Sequence, residues 1–573
     1  MATASFKNTE APSAPDISNL ATMTVQCSCF SGTPFAGVTN LTANAQLVDA
    51  NGADNIKGTL DDDVRLLQGS PCVDRGYGAL LLADFADLDG DANVTELVPF
   101  DLDGHARLID DPKVDAGSGR TTFLDLGAYE FDRPSRIIFV DDSARGDNDG
   151  SSWKNAFRNL QDGIAAANAF PHPKPIEIWI AEGTYLPTDT SDWTISFKPE
   201  GTVKVLGGFD ATEDSRSQRD PIEYPTVLSG AIGTADADDN TFHVLDFSGD
   251  NVTDSLILDG LVILDGFAKG GDGPSIGGGV RVRNGAAPTI TNCRFLSNYG
   301  HDGGGAIGIH GSSSRASIAN SFFAGNEANA AGGAILVTAG ASGTTIINCT
   351  VANNLAVVGG GMALTSAGSS ATVANSILYF NQDNDGSGET SQLSPRDGAT
   401  VNLRYSCLPC ADNELPGLKL IGLNPRFSKL EGSDGEIGTL DDSGDLAIGS
   451  PCIDAGTESF GLGGTFPIDL VDLDDDGDVV ELLPFDIEGS SRFIDDPSVS
   501  NIDSPVDMGA DEADFTGFGP GLVGDLDLNG VVNGADLALV LGAWGSGDPA
   551  YDLTGDCSND GADLATVLGS WTG

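Results

Sequence analysis

The stretch that decides the fold is residues 291–298, T-N-C-R-F-L-S-N, because it returns three times along the chain. The later copies are A-N-S-F-F-A-G-N at 319–326, I-N-C-T-V-A-N-N at 347–354 and A-N-S-I-L-Y-F-N at 374–381. Gly pairs keep the same period near 28, at 278–279, 304–305, 332–333 and 360–361. Each unit alternates β-branched or aromatic residues with polar ones, a pattern typical of short strands between turns. The repeat therefore predicts an all-β solenoid whose coils stack on one another.

The first Asn of each copy is predicted to belong to an amide ladder inside the solenoid. Equivalent residues of stacked coils lie about 4.8 Å apart, which is close enough for side-chain amides to hydrogen bond. The predicted ladder residues are Asn292, Asn320, Asn348 and Asn375. We interpret the residue after each of them as a small buried side chain and not as a redox group. These neighbours are Cys293, Ser321, Cys349 and Ser376.

Residues 137–187, ahead of the repeats, contain an apolar pattern that predicts a helix. Phe157, Leu160 and Ile164 recur at i, i+3 and i+7, which places them on one face of a helix. An apolar helix face at this position would close the open N-terminal end of the solenoid.

The repeats resemble those of polymorphic outer-membrane proteins and of the pectate-lyase-like right-handed parallel β-helix. The resemblance rests on the G-G-A-I and F-x-x-N units and on early phrases such as V-L-G-G-F-D-A-T-E and L-D-G-L-V-I-L-D-G-F. It extends over residues 137–515 and implies a right-handed parallel β-helix with an N-terminal capping helix.

Residues 58–131 and 438–515 are two copies of one acidic module. Both contain G-T-L-D-D, G-S-P-C-x-D, E-L-x-P-F-D, I-D-D-P and D-x-G-A-x-E, and the copies are offset by 380 residues at the start and 382 at the end. The module resembles the choice-of-anchor Q region, which ends a β-helix ahead of varied C-terminal anchors. Because almost no repeat precedes the first copy, we expect the chain to begin inside a longer protein, which would account for the missing signal peptide.

Each module contains an acidic run, D-L-D-G-D-A-N-V-T-E in the first and D-L-D-D-D-G-D-V-V-E in the second. Carboxylates at positions 1, 3 and 5 can converge on calcium, although the Glu stands at position 10 and not at 12. A modified calcium loop and a solvated acidic turn are both compatible with this pattern. The candidate ligands are Asp87, Asp89, Asp91, Asp472, Asp474, Asp476 and Asp478.

Residues 523–573 contain two acidic loops, each followed by an apolar helix. The loops read D-L-D-L-N-G-V-V-N-G-A-D from Asp525 and D-L-T-G-D-C-S-N-D-G-A-D from Asp552. Oxygen-bearing side chains at positions 1, 3, 5, 9 and 12 are the ligands that calcium requires, and Gly530 at position 6 permits the sharp turn. Residues 521–573 hold eight Asp and no Glu, Lys or Arg, so the carboxylates repel one another unless cations are bound.

This loop–helix pair closely resembles the type I dockerin, which folds around two calcium ions and binds a cohesin partner. For the first site the resemblance implies the ligands Asp525, Asp527, Asn529, Val531 (through its carbonyl), Asn533 and Asp536. For the second site it implies Asp552, Thr554, Asp556, Ser558, Asp560 and Asp563. The second loop departs from the pattern, with Cys557 in place of Gly and Asn559 in place of an apolar residue.

In dockerins, the residues just before the last ligand help to choose the partner. Here they are Gly534, Ala535, Gly561 and Ala562, in place of the hydroxyl pair common in cellulosomal dockerins. A cellulosomal cohesin is therefore not the expected partner, and the near-identity of the two copies would permit binding in two orientations.

The coils also offer candidate catalytic carboxylates, which are Asp272, Asp302 and Glu327. They lie near successive Gly turns and could line up on adjacent coils, with His301 and either Arg283 or Arg294 nearby. Glycoside hydrolysis needs two carboxylates across the sugar bond. The alternative is that they are solvated turn residues, because the motifs typical of polygalacturonases and pectate lyases are absent.

The net charge of −57 is concentrated in particular segments, since residues 427–515 carry 24 acidic residues against two basic ones. Such a surface excludes nucleic acid as a partner, and no apolar run is long enough to cross a membrane. We predict a truncated β-helix end with its cap (1–131), a β-helix with its capping helix (137–426), a second acidic cap (427–515), a linker (516–522) and a dockerin-like domain (523–573).

Together these segments predict a secreted or cell-surface β-helix protein with a structural, adhesive or carbohydrate-binding role. Its calcium-loaded tail would hold it to a cohesin-like protein or to surface-sorting machinery, and a polysaccharide is a further expected partner. The alternative is a polysaccharide lyase or glycoside hydrolase delivered by the same tail.

Overall fold

The computed structural model divides into two compact units, Met1–Pro134 and Ser135–Gly573. In the first unit it describes residues 3–4, 28–30, 40–49, 63–67, 70–76, 98, 101–102 and 124–131. In the second unit it describes residues 136–169, 176–234, 237–270, 275–409, 415–458, 483–496, 499, 501–513 and 522–572. Apart from residue 522, the predicted linker lies outside the described residues.

Five short strands lie in the described part of the first unit. They are β1 Thr3–Ala4, β2 Ser28–Phe30, β3 Leu41–Thr42, β4 Leu47–Asp49 and β5 Asp63–Leu66. The first three form a parallel sheet, and β4 pairs with β5 in antiparallel fashion.

The second unit is built from short strands and a few helices. Its first strands are β6 Arg136–Val140, β7 Ile176–Ala181, β8 Gly183–Tyr185, β9 Val203–Phe209, β10 Thr226–Ser229, β11 Leu245–Ser248, β12 Ile257–Asp259, β13 Leu261–Leu264, β14 Phe267–Ala268, β15 Val280–Arg283, β16 Thr289–Thr291, β17 Arg294–Leu296 and β18 Tyr299–Gly300. The later strands are β19 Ile307–His310, β20 Ser317–Ala319, β21 Phe322–Ala324, β22 Glu327–Ala328, β23 Ile335–Thr338, β24 Thr344–Ile347, β25 Thr350–Ala352, β26 Met362–Leu364, β27 Ser370–Ala374, β28 Ile377–Tyr379, β29 Leu393–Pro395, β30 Thr400–Arg404 and β31 Gly417–Leu418. The α-helices of the described residues are α1 Leu160–Asn168, α2 Glu389–Gln392, α3 Gly534–Gly542 and α4 Gly561–Gly569, with 3₁₀ turns at Trp153–Asn155, Arg216–Gln218 and Ala237–Asp239.

Parallel sheets run along the solenoid and confirm the predicted coil. The ten-stranded sheet has the order β31-β30-β27-β24-β20-β16-β12-β9-β7-β6, and the seven-stranded sheet has the order β28-β25-β21-β17-β13-β10-β8. A six-stranded sheet, β11-β15-β19-β23-β26-β29, and the small sheet β14-β18-β22 complete the coils. Thr289 pairs with Ser317, and Ser317 pairs with Thr345, so neighbouring strands are in register one repeat apart.

The first Asn of each repeat turns the chain between the ten-stranded and seven-stranded sheets. The four residues predicted as the ladder have φ values of 50°, 44°, 51° and 46°, a left-handed conformation that Asn tolerates better than most residues. The amides of Asn320 and Asn375 donate to Phe485 O at 2.7 Å and Thr457 O at 2.8 Å, whereas the buried amide of Asn348 has no hydrogen-bond partner among the described residues. The ladder prediction at these positions is therefore wrong, because two of the corner side chains are directed to the second acidic module.

The ladder is formed instead by the last Asn of each repeat. Asn298 donates from Nδ2 to Oδ1 of Asn326 at 3.0 Å, and Asn326 donates to Asn354 at 2.9 Å. Asn354 donates to Asn381 at 2.9 Å, and Asn381 ends the ladder on Oε1 of Gln392 at 2.8 Å. These amides are buried and also donate to main-chain carbonyls, so they satisfy polar groups at the turns of each coil.

The small residues after the corner Asn residues are buried, as interpreted from the sequence. The main-chain N–H of Cys293 donates to Oγ of Ser321 at 3.3 Å, and that of Cys349 donates to Oγ of Ser376 at 3.2 Å. Burial raises the pKa of the Cys349 thiol to about 12, which keeps it protonated and unreactive at neutral pH.

Helix α1 packs against the first strands of the solenoid core, as predicted. Asn159 caps its first turn, and Leu160 and Ile164 are buried in the main core. Gly163 allows close approach, since a Cβ there would lie 2.8 Å from Cγ2 of Val140. Phe157 packs beside the same core but lies before the helix, in a bridge with Val140.

The two acidic modules repeat the same hydrogen bonds in the two units. The N–H of Asp74 donates to Oδ1 of Asp125 at 2.7 Å, and the N–H of Asp454 donates to Oδ1 of Asp507 at 2.7 Å. Further pairs with equivalent bonds are Ser70 and Ser450, Cys72 and Cys452, Asp101 and Asp486, and Glu130 and Glu512. The acidic runs that begin at Asp87 and Asp472 lie outside the described residues.

The second acidic module covers one face of the solenoid. Ile487 and Ala510 pack with Leu296 and Phe322 of the seven-stranded sheet. Arg492, which is fully buried, donates to Oδ1 of Asn320 at 3.0 Å. The module is therefore part of the solenoid's packing.

Asn354→Ala is predicted to lower the free energy of unfolding by about 3 kcal/mol, because buried donors of the ladder lose their acceptor. Asn348→Gly is the matched control and should cost less than about 1 kcal/mol, because its amide has no partner and Gly readily adopts its backbone conformation. Calorimetric melting of both variants measures the difference. Equal losses would show that the ladder does not carry the stability assigned to it.

Candidate functional site

The C-terminal loop–helix pair folds as two matching halves. Asn533 caps helix α3 and Asp560 caps helix α4, each in a capping box completed by the acidic residue three positions later, Asp536 or Asp563. The small core of the pair includes the fully buried side chains of Val540 and Val567.

The first loop brings three carboxylates together. Oxygen atoms of Asp525, Asp527 and Asp536 lie within 4.8 Å of one another. Asp525 accepts hydrogen bonds from the N–H groups of Asn529 at 3.1 Å and Gly530 at 2.8 Å, which wraps the loop around its carboxylate. Three convergent carboxylates are a donor set suited to calcium, which would neutralise their mutual repulsion.

The second loop repeats this geometry with a hydroxyl at its third position. Asp552 accepts from the N–H groups of Asp556 at 3.3 Å and Cys557 at 2.7 Å, as Asp525 does in the first loop. The hydroxyl of Thr554 lies 3.3 Å from Oδ1 of Asp552 and 3.2 Å from Oδ1 of Asp563. The oxygen donors of positions 1, 3 and 12 therefore converge in this loop too.

Both departures of the second loop are accommodated. Cys557 adopts φ 67° where Gly530 has φ 84°, so the sharp turn is kept, and Cys557 is disulfide-bonded. The buried side chain of Asn559 donates to Oγ of Ser546 at 3.0 Å and to the carbonyl of Asp548 at 3.1 Å.

Four of the six remaining predicted ligands hold the main chain of the loops through their side chains. In each loop, the side chains at positions 5 and 9 accept hydrogen bonds from the N–H two residues later, at 2.7–3.0 Å. These residues are Asn529, Asn533, Asp556 and Asp560. The structure thus brings together three of the six predicted ligands in each loop. The residues predicted to contact a partner, Gly534, Ala535, Gly561 and Ala562, are exposed in the first helical turns.

A repeated apolar surface on the tail was missed in the sequence analysis. Leu541 and Trp544 at the end of α3 are 50% and 51% exposed, and Leu568 and Trp571 at the end of α4 are 52% and 42% exposed. The two pairs are related by the 27-residue offset of the loops. The L-G-x-W sequence repeated at the helix ends could have predicted this surface.

The loops of the tail contact the end of the solenoid. Asn424 donates from Nδ2 to the carbonyl of Ala550 at 3.0 Å, and Arg426 donates from Nη2 to the carbonyl of Asp525 at 2.7 Å. These contacts are made by the loops of the tail.

Two of the three candidate catalytic carboxylates, Asp302 and Glu327, are not paired on adjacent coils. Glu327 is paired in register with Tyr299 and not with Asp302, so the predicted alignment is wrong. The register is set by the lengths of the turns, which the spacing of acidic residues does not reveal. Asp302 does interact with His301, whose Nδ1 lies 2.9 Å from Oδ1. Asp272 lies outside the described residues.

The two arginines expected near these carboxylates are engaged elsewhere. Arg283 contacts Asp246 at 3.2 Å on the six-stranded sheet, where Arg281 also binds the same carboxylate. Arg294 donates to the main-chain carbonyls of Leu440 and Asp442 in the second acidic module. Among the described residues, neither guanidinium forms a hydrogen bond or an ion pair with Asp302.

An aromatic strip lies beside His301 and was not expected from the sequence. Trp193 is 40% exposed, and Nζ of Lys269 lies 4.3 Å from its ring centroid. Phe267 and Tyr299 stack on successive coils with centroids 4.5 Å apart. We call Trp193, Phe267 and Tyr299 the aromatic strip. Such half-exposed rings offer stacking surfaces to a sugar chain.

Residues 270–407 match a family model described as "Right handed beta helix region". No curated protein matches the chain. Among solved structures, the pectin methylesterase from Aspergillus niger in deglycosylated form is 15% identical, with a TM-score of 0.29, over 55% of this chain and 91% of that chain. Pectate lyase Pel9A is 16% identical, with a TM-score of 0.34, over 66% of this chain and 97% of that chain. Structural similarities of this size carry no inference about activity. The parallel sheets and the family match together identify a right-handed parallel β-helix.

None of the described helices is long and apolar enough to span a bilayer.

We predict that Asp536→Asn and Asp563→Asn each remove one calcium ion from the tail, because each replaces a carboxylate at the convergence point of its loop. Isothermal titration calorimetry of the full chain measures the stoichiometry, and Asp548→Asn, outside both loops, is the matched control. An unchanged stoichiometry in both variants would contradict the ligand assignment.

Proposed function

We propose that this chain is a secreted or cell-surface β-helix protein that is docked through its calcium-loaded tail, residues 523–573, onto a cohesin-like protein. The observation that carries the proposal is the twofold repetition of convergent oxygen donors together with an exposed Leu–Trp pair on each helix. Binding to surface-sorting machinery through the same tail is the other outcome of the experiment below.

Electrostatics support the calcium part of the proposal. The tail carries eight Asp and no basic residue, and three of its carboxylates lie within 4.8 Å in the first loop. Without cations this arrangement concentrates like charge in a very small unit. Bound calcium would remove the repulsion and hold each loop in a fixed conformation before its helix. Asp525, Asp527 and Asp536 would hold the first ion, and Asp552, Thr554 and Asp563 would hold the second.

The exposed side chains support the docking part. Large apolar residues that remain half exposed on a soluble unit mark interaction surfaces, and Trp is enriched among residues that dominate binding. The pairs Leu541–Trp544 and Leu568–Trp571 occupy equivalent places, so each helix presents the same surface to a partner. Two equivalent surfaces would permit the two binding orientations predicted from the sequence.

We predict that Leu541→Ala with Trp544→Ala, and Leu568→Ala with Trp571→Ala, each weaken binding to an immobilised type I cohesin panel by no more than about twofold, because one orientation remains. The combination of all four should weaken it by at least about 30-fold, the loss of one hot spot. Surface plasmon resonance in calcium and in chelator measures both effects.

Leu440→Ala, an equally exposed leucine outside the tail, is the control. Binding that is equally strong in calcium and in chelator would contradict the proposal, as would the absence of binding to every cohesin of the panel. Retention on isolated cell envelopes without cohesin binding would assign the tail to surface sorting.

The β-helix itself is proposed to bind a polysaccharide along the aromatic strip. The strip joins Trp193 with its Lys269 cation to the stacked pair Phe267 and Tyr299, which suits sugars that carry carboxylates. Cleavage is the alternative, and it requires a carboxylic acid that is protonated near neutral pH. The main-chain N–H of Ser275 and the neighbouring His301 lower the pKa of Asp302, so this carboxyl is not suited to be that acid.

Trp193→Ala is predicted to reduce retention of the chain in affinity electrophoresis through a uronic-acid polysaccharide by about tenfold, the loss of one stacking contact. Asp302→Asn should leave the retention unchanged, and the number of reducing ends released from the polymer should also stay the same. Polymer cleavage that is lost in Asp302→Asn would overturn the binding role in favour of an enzyme.

A further inference from the structure

Three carboxylates of the second acidic module converge away from the tail. Asp445, Glu488 and Asp511 each offer one carboxylate oxygen, and these atoms lie within 4.8 Å of one another. The residues belong to three separate segments of the module, which come together over the seven-stranded sheet. We call them the cap triad.

The cap triad contains carboxylate oxygens that have no partner. Asp511 is 7% exposed, and among the described residues its carboxylate accepts no hydrogen bond and forms no ion pair. Oδ1 of Asp445 is also buried without a hydrogen-bond partner. Buried carboxylates without donors are strongly unfavourable unless a cation or a proton compensates them.

The nearest guanidinium groups are bonded to other partners. Arg492 is committed to Glu512 at 3.4 Å and to the carbonyl of Gly509 at 2.6 Å. Arg294 donates to two main-chain carbonyls, of which Leu440 O lies at 2.8 Å. Within the described part of the chain, neither group forms an ion pair with the cap triad. Asp486 adds a further negative charge close by, because its carboxylate accepts from the N–H of Glu512, the neighbour of Asp511, at 2.9 Å.

The first module allows a comparison, because only one of its three equivalent positions is acidic. Asp445 corresponds to Arg65 through G-T-L-D-D, and Asp511 corresponds to Tyr129 through D-x-G-A-x-E. Glu488 corresponds to Asp103 in the segment after P-F-D. The first module therefore carries its own cationic side chain where the second has a third carboxylate.

We propose that Asp445, Glu488 and Asp511 bind a calcium ion that joins the three segments of the second module over the solenoid. The donors are all oxygen, which favours a hard cation over zinc or copper. Calcium accepts six to eight oxygen ligands in irregular geometry, whereas magnesium requires a near-ideal octahedron. Three carboxylates from separate segments, completed by carbonyls or water, suit calcium better.

The position of the cap triad indicates what the ion would do. Ile487 and Ala510, adjacent to Glu488 and Asp511, pack on the seven-stranded sheet. The N–H of Ala510 donates to Oγ1 of Thr350 at 3.0 Å, which is a direct contact with the solenoid. Calcium bound here would stabilise the folded module by binding the native state alone. This inference does not depend on the tail, because the two sites share no ligand.

The experiment uses the full chain with Asp536→Asn and Asp563→Asn, so that the ligand sets of the tail are impaired. Calcium binding is followed by calorimetric titration, and stability by thermal melting, in calcium, in magnesium and in chelator. We expect one strongly bound calcium per chain and a higher melting temperature in calcium than in chelator. Magnesium should produce a smaller shift.

Two further variants locate the ion. Asp511→Asn should lose both the bound ion and the calcium-dependent shift, whereas Glu431→Gln, an exposed acid just before the module, should keep both. Asp445→Arg with Asp511→Tyr, which copies the first module, should melt at the same temperature with and without calcium. This variant supplies its own cation, so it tests the proposal even if Asp511→Asn folds poorly.

Absence of calcium uptake by the folded parent would overturn the proposal, as would an ion retained by Asp511→Asn. A melting temperature that falls as the pH rises and is the same with and without calcium would also overturn it. Groups whose folded pKa is raised by burial lose stability as pH rises, so that result would assign the cap triad to shared protons.

Discussion

Hydrogen bonding between stacked coils, in register about every 28 residues, is the constraint on which the rest of the structure depends. It requires each coil to close with the same turns, and Asn supplies two of them. One Asn takes the left-handed corner, and the other carries the amide ladder from Asn298 to Asn381. The same period directs the corner residues Asn320 and Asn375 to the second acidic module, so the coil also determines where that module attaches.

Charge is divided according to this architecture. The coils have few acidic residues, and the carboxylates are concentrated in the acidic modules and in the tail. In both places three carboxylates converge to within 4.8 Å, at Asp525, Asp527 and Asp536 and again in the cap triad. Convergence of like charge is unfavourable in itself, so calcium is the common element that would stabilise both regions in the account proposed above.

The sequence was sufficient for features that depend on spacing along the chain. The period predicted the solenoid, the apolar face of Leu160 and Ile164 predicted the helix at its start, and the 27-residue offset predicted matching loops. It failed where two residues of the same type share one period, because only the backbone conformation distinguishes the corner Asn292 from the ladder Asn298. The alignment of Asp302 and Glu327 failed because register depends on turn lengths, and the cap triad was missed because its three segments are distant in sequence.

Anomalous diffraction from crystals grown in calcium tests the central claim most directly. The account predicts one peak in each tail loop, about 2.3–2.6 Å from carboxylate oxygens of Asp525 and Asp536 and of Asp552 and Asp563. Ordered loops with their carboxylates converged and no anomalous peak between them would contradict it. In that case the tail would not be a calcium-dependent docking module.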